Sequence, residues 1–283
     1  RSPPMKFIHS LLKSQEKHFL SGGKLERLYP LFEAGETFIL SSKLTTKKGP
    51  HVRDNVGTKR FMSIVILALL PCTLFGIYNA GYQSLKAGGS PLETLPIIIA
   101  GLKLVLPIII VSYVVGGLCE ALFSIVRKHE INEGFLVTGL LYPLTLPTTI
   151  PLWQAAVGIA FGVIIGKEVF GGSGRNFLNP ALTARAFLFF TYPAYISGDV
   201  WISAKEMIDG FSGATALSVI ANSPAGNAIE ILTNTTSHDF SWINLFIGLI
   251  PGSIGETSAL CALIGAFILL LTRVGSWRTM LGG

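Results

Sequence analysis

Thr215 carries a hydroxyl among small neighbours, in the stretch Asp209-Gly210-Phe211-Ser212-Gly213-Ala214-Thr215-Ala216-Leu217. A hydroxyl that is to accept a phosphoester must admit both the incoming phosphate and the enzyme that delivers it, and Gly213 and Ala214 provide that room. The same letters also describe a plain turn at Ser212-Gly213, with Thr215 an early helical residue capped by Ser212. On local residues alone both readings stand.

A second constellation is Gly116, Gly117 and Glu120. On one helix positions 116 and 120 are i,i+4 and positions 117 and 120 are i,i+3, so two bare backbone patches lie beside one carboxylate. A flat ring fits such a surface; the competing reading is helix packing through paired glycines. Gly171-Gly172-Ser173-Gly174-Arg175-Asn176 is glycine-rich but has neither the Walker lysine pattern nor GxGxxG spacing, which excludes nucleotide hydrolysis. It reads as a broken helix, a feature tolerated in a membrane where it lines a cavity or is buried in protein. The amides of Asn176 and Asn179 are suited to hydrogen-bonding the polar edge of a ring system. Gly252-Ser253-Ile254-Gly255-Glu256 is a similar irregular start to a later apolar run, where Glu256 serves either cation handling or an ion pair.

The elements that must hold these residues lie in a bilayer. The 283 residues are 50% hydrophobic and only 13% charged, with mean hydropathy +0.57, whereas a soluble domain is about a quarter charged. A Lys- and Arg-rich segment over residues 1–60 precedes long apolar runs, giving a soluble extension and a membrane domain over residues 61–283. Met5 reads as the natural start, and no signal-peptide h-region opens the chain. Phe7 to Leu40 reads as one or two amphipathic helices. Spans are expected over Phe61–Ala80, Leu95–Val126, Ile131–Leu146, Trp153–Ile165, Phe177–Ile196 and Trp242–Leu271. Basic residues before Phe61, at Arg127-Lys128, at Lys167 and at Arg273 and Arg278 put the N-terminus in the cytoplasm and residues 197–241 outside. Glu120 then lies roughly 25 Å along its helix from Lys103, toward the cytoplasmic side. Arg185 interrupts the fifth span and needs a carboxylate, a backbone carbonyl or a phosphate, since an intramembrane charge costs at least roughly 2.5 kcal/mol.

The net charge of +6 and pI near 9.3 do not signal nucleic acid, because the cations sit at helix ends where topology and anionic lipid account for them. Cys72, Cys119 and Cys261 have no CxxC spacing and read as small buried side chains. The five histidines, His9, His18, His51, His129 and His238, do not cluster, so no metal site is expected.

Five stretches occur in one order along the chain: Gly22-Gly23-Lys24-Leu25-Glu26 with His51-Val52-Arg53-Asp54; Val114-Val115-Gly116-Gly117-Leu118-Cys119-Glu120; Gly174-Arg175-Asn176-Phe177-Leu178-Asn179-Pro180-Ala181-Leu182; the Thr215 segment; and Pro251-Gly252-Ser253-Ile254-Gly255-Glu256. In these the chain resembles the B subunits of the bacterial sodium-translocating NADH:quinone oxidoreductases. The resemblance implies an all-α polytopic membrane protein of about six transmembrane segments with broken or re-entrant helices, half of an inverted-repeat domain, plus a helical N-terminal cytoplasmic extension. Relatives continue through further helices after a stretch like Ser276-Trp277-Arg278, so the chain is expected to be C-terminally truncated.

The resemblance further implies covalent FMN on Thr215 in the periplasmic loop 197–241, with Ser212, Gly213 and Ala214 around it. It implies a second, noncovalent riboflavin, for which Arg175, Asn176, Asn179 and Arg185 are the candidates, and a ubiquinone site at Gly116, Gly117 and Glu120. Glu120 is then a candidate proton relay. The expected activity is Na+-transporting NADH:ubiquinone reduction by a six-subunit complex in the bacterial inner membrane. The D subunits of the Rnf ferredoxin:NAD oxidoreductases share a similar threonine segment, but the N-terminal extension with His51-Val52-Arg53-Asp54 argues against them. A solute channel without flavin is the alternative of another class.

Overall fold

The computed structural model of the chain describes residues 57–127, 133–204, 208–209, 211–223, 226–234 and 238–282, with positions 29, 32 and 49. The expected amphipathic helices over residues 7–40 fall outside the described residues. Among those described, every regular element is helical: α1 (Thr58–Ala87), α2 (Thr94–Arg127), α3 (Gly134–Leu144), α4 (Leu152–Ile164), α5 (Pro180–Thr191), α6 (Ala216–Asn222), α7 (Ala228–Asn234), α8 (Trp242–Ile247), α9 (Ala259–Leu271) and α10 (Trp277–Gly282).

Among the described residues, three apolar stretches are long enough to cross a bilayer: Arg60–Ala87, Thr94–Arg127 and Leu152–Phe170. The other expected spans are shorter or broken. Helix α3 has 11 residues, α5 has 12 and α9 has 13, or roughly 17–20 Å each against a hydrocarbon core of about 30 Å. The run expected to cross from Trp242 to Leu271 is split into α8, an irregular segment and α9. Gly248 begins the break in the left-handed region at φ 100°, a conformation open to glycine without penalty.

Helix α2 packs against α1, α3 and α4, and α9 lies on α1. The α1–α2 crossing runs through Gly81 and Gly101, where a Cβ on either would strike the facing carbonyl of Ile97 or Ile77. Close approach of small residues is how helices associate where lipid is as apolar as leucine. Val105, Ile108, Tyr142, Ile159, Val163 and Leu188 fill the centre. Within it the Tyr142 hydroxyl donates to the Ala155 carbonyl at 3.0 Å, which satisfies the one polar atom of the largest buried side chain.

Irregular backbone inside a membrane protein has to find partners. Past α3, the carbonyls of Leu144 and Leu146 accept from Gly255 N at 2.8 Å and Ile254 N at 3.0 Å. The carbonyl between them, of Thr145, accepts from Arg185 Nε at 3.1 Å. Two broken ends thus satisfy each other, and α5 contributes the third donor.

Candidate functional site

Thr215 sits at the near end of a loop tied to the C-terminal end of α1, where Ile208 N donates to the Ala87 carbonyl at 3.0 Å. Thr148 Oγ1 donates to the Trp201 carbonyl at 3.3 Å from the opposite side. Ser212 Oγ donates to Asp199 Oδ1 at 3.3 Å and accepts from Ala214 N at 3.1 Å. Gly213 is buried against Asp199, and a Cβ there would lie 2.9 Å from Oδ1, so only glycine fits without a shift. Thr215 is itself the N-cap of α6: its Oγ1 accepts from Ser218 N at 3.3 Å. The expected cap by Ser212 is therefore corrected. Ser212 closes the preceding turn, and Thr215 stands just before the helix because its own oxygen serves the first turn. Its hydroxyl proton remains available, on a half-buried side chain.

His238, which clusters with no other histidine in the sequence, lies under this turn. Its Nε2 donates to the Ser212 carbonyl at 2.7 Å, and its ring meets Phe211 edge-on at 4.9 Å and Phe240 at 5.9 Å. Burial pushes the imidazole below its ordinary 6.5; Lys86 acts in the same direction, against the Ser212 carbonyl and Asp199.

At the other end of α2 four charges meet. Lys167 Nζ lies 2.7 Å from Glu120 Oε1, with side chains only 3% and 2% exposed. Arg127 Nη1 donates to the Glu168 carbonyl at 2.7 Å and lies 3.5 Å from its Oε2. Lys167 is therefore not a solvated cytoplasmic marker, as its position in the sequence suggests, but a buried counter-ion. The glycine patches of α2 are not bare either. A Cβ on Gly116 would come 2.6 Å from the Phe135 ring and 2.9 Å from Ile159 Cγ1, whereas one on Gly117 would meet Phe135 at an ordinary 3.5 Å. Thr94, at the Thr215 end of α2, and Glu120 are roughly 40 Å apart along its axis.

The remaining candidates are set in local roles. Asn179 caps α5, its Oδ1 accepting from Ala181 N at 3.0 Å and Leu182 N at 3.3 Å. Asn176 accepts from Gly174 N at 3.2 Å and donates to the Leu178 carbonyl at 2.7 Å. Arg175 is exposed, packing its Cδ near Gly171. Arg185 turns to Thr145 and is not brought to Asn176. Glu256 is exposed, accepts from Ser253 Oγ at 2.7 Å, and borders a largely apolar cavity of about 390 Å³ with Cys72, Leu144 and Ser258. Of the cysteines, Cys261 is buried while Cys72 and Cys119 are half-buried.

Long apolar helices, interrupted helices with paired backbone ends and charges buried between them define an all-α polytopic membrane protein. Residues 45–283 match the model of the NQR2, RnfD, RnfE family, and the chain belongs to that family. It is 48% identical, over 97% of its length and 69% of the relative's, to the Na(+)-translocating NADH-quinone reductase B subunit of Chromohalobacter salexigens. It is 47% identical to the protein of that name from Yersinia pestis, over 97% of this chain and 72% of the relative. The corresponding figures for Pseudomonas aeruginosa are 45%, 97% and 72%.

Proposed function

We propose that this chain is an electron-transferring membrane subunit of a Na+-exporting NADH:ubiquinone reductase, carrying FMN in phosphoester linkage on Thr215. The observation that carries this is the Thr215 hydroxyl itself. It is half-buried, placed just before α6 by its own bond to Ser218 N, and preceded by a turn fixed on Asp199. The names of the relatives, each the B subunit of a Na(+)-translocating NADH-quinone reductase, supply the substrate class.

Once attached, the flavin supplies reversible electron uptake, and this chain sets its place and access. The Thr215 loop and the Glu120–Lys167 pair occupy opposite ends of α2, which suits entry of electrons at the outer side and quinone reduction at the inner side. The noncovalent riboflavin is assigned to the glycine-rich turn, beside the Glu120–Lys167 pair, where Gly171 N and Gly172 N donate to the Glu168 and Lys167 carbonyls. There the Asn179 Nδ2 is engaged by no hydrogen bond among the described residues, while Asn176 holds the turn. Quinone is assigned to the Gly117 side of this face, beside the Phe135 ring that already covers Gly116. The assembly is a six-subunit complex of the bacterial inner membrane, with this chain's N-terminus in the cytoplasm.

The chain, expressed with a flavin transferase and run on a denaturing gel, is expected to fluoresce as wild type and to be dark as Thr215→Ala. A dark wild type beside a labelled control substrate refutes the assignment. For the quinone face, Glu120→Gln in the assembled enzyme is expected to change the pH profile of quinone reduction; an unchanged profile removes Glu120 as a proton relay.

A further inference from the structure

Ser212 is held at both its hydroxyl and its carbonyl. Its hydroxyl is shared between Asp199 and Ala214 N, and its carbonyl accepts from His238 Nε2. The first two bonds come from nearby in the chain. His238 approaches from the far side of the loop, across 26 positions of sequence, and is 5% exposed. We infer that His238 is a positioning residue for the Thr215 acceptor hydroxyl, acting through the Ser212 carbonyl; this rests on the reading of Thr215 as the flavin-bearing residue.

The chemistry requires a fixed acceptor. Attachment forms a bond from Thr215 Oγ1 to the flavin phosphate's phosphorus as the phosphoanhydride bond of a flavin dinucleotide donor breaks, a nucleoside monophosphate leaving and the hydroxyl proton passing to solvent. The oxygen must be in line with that leaving group, so mobility in the residues before Thr215 lowers the rate directly. Only two bonds separate the Ser212 carbonyl carbon from the Gly213 Cα, and Gly213 in turn has no room to shift toward Asp199. A donor on that carbonyl therefore fixes the direction in which Gly213, Ala214 and Thr215 leave the turn. Among the described residues, Lys86 at the end of α1, Asp199, and the rings of Phe211 and Phe240 face the imidazole. Burial favours the neutral ring, and a neutral ring has one N–H to give; the short contact to a carbonyl puts it on Nε2.

Two substitutions separate the donor from the packing. His238→Phe keeps an aromatic ring between Phe211 and Phe240 and removes the donor. His238→Gln loses the ring but places an amide N–H near the position of Nε2. With the full chain in membranes of a host that supplies the transferase, the initial rate of flavin attachment is expected to fall about five- to tenfold in His238→Phe, the effect of one buried hydrogen bond. In His238→Gln it is expected to stay within about twofold. Amide exchange of residues 211–218 in the unlabelled chain is expected to follow the same order. A His238→Phe chain that labels and exchanges like wild type overturns the inference, and so do two variants equally impaired, which make the ring and not the donor the cause. If the wild type takes up no flavin while a control substrate does, the flavin reading fails, and amide exchange still decides whether His238 fixes the turn.

Discussion

Replacing Lys167 by methionine removes one half of a buried ion pair and leaves the surrounding packing nearly the same size. The attraction across the 2.7 Å contact is about 6 kcal/mol at an effective dielectric constant of ~20. Desolvation of two charges costs several kcal/mol each, so the intact pair contributes little net stability. The single substitution is another matter, because Glu120, 2% exposed, keeps its desolvation cost and loses this counter-ion. Such losses run to about 3–5 kcal/mol, and Lys167→Met is expected to fall in that range. Replacing both residues, as Glu120→Met with Lys167→Met, is expected to recover most of the loss, which makes the two changes strongly non-additive. Unfolding in mixed micelles, titrated with denaturing detergent for wild type, both singles and the double, measures this directly. A Lys167→Met loss below about 1 kcal/mol, or a double mutant whose loss is the sum of the singles, would refute the buried-pair argument.

Three further outcomes follow from named contacts. Gly116→Ala drives a methyl into the Phe135 ring and Ile159 and is expected to cost about 1–3 kcal/mol, whereas Gly117→Ala meets Phe135 at an ordinary distance and stays within about 0.5 kcal/mol; the same detergent titration compares them. Arg185→Met leaves the Thr145 carbonyl without its donor, and a loss of about 1.5–3 kcal/mol is expected. The Thr215 loop should be less stable in acid. Burial lowers the folded pKa of His238 below 6.5, so its contribution is full above that value and is lost as pH falls from there through the folded pKa. Proteolysis of residues 197–241 should therefore accelerate as the medium is acidified through that window, and should not do so in His238→Gln.

The membrane class, the long helices and the glycine breaks were legible because each is written locally. A run such as Phe61–Ala80 carries its own length, whereas the helix start at Asn179-Pro180 was passed over inside a span expected from Phe177. Arg185 was legible as a charge in need of a partner, and the partner proved to be the Thr145 carbonyl, one of the alternatives open to it. What stayed hidden was pairing at a distance. Glu120 and Lys167 are 47 residues apart, and on charge alone Lys167 is a topology signal like its neighbours. His238 was hidden for the same reason, since a lone histidine in a polar loop carries no spacing signal. The expected spans were drawn as continuous where an apolar run conceals a break. Hydropathy averages over Gly248 to Ser258, although Ile254 and Gly255 in that stretch are bonded to the end of α3 and not to their own next turn.

The central claim is an ester bond at one oxygen. The chain would be isolated from a host that supplies the flavin transferase, digested, and its flavin-bearing peptide sequenced by fragmentation mass spectrometry. A flavin phosphate on Thr215, within Ser212 to Ser218, is the predicted result. Flavin on a different side chain, or none while a control substrate is labelled, would contradict it.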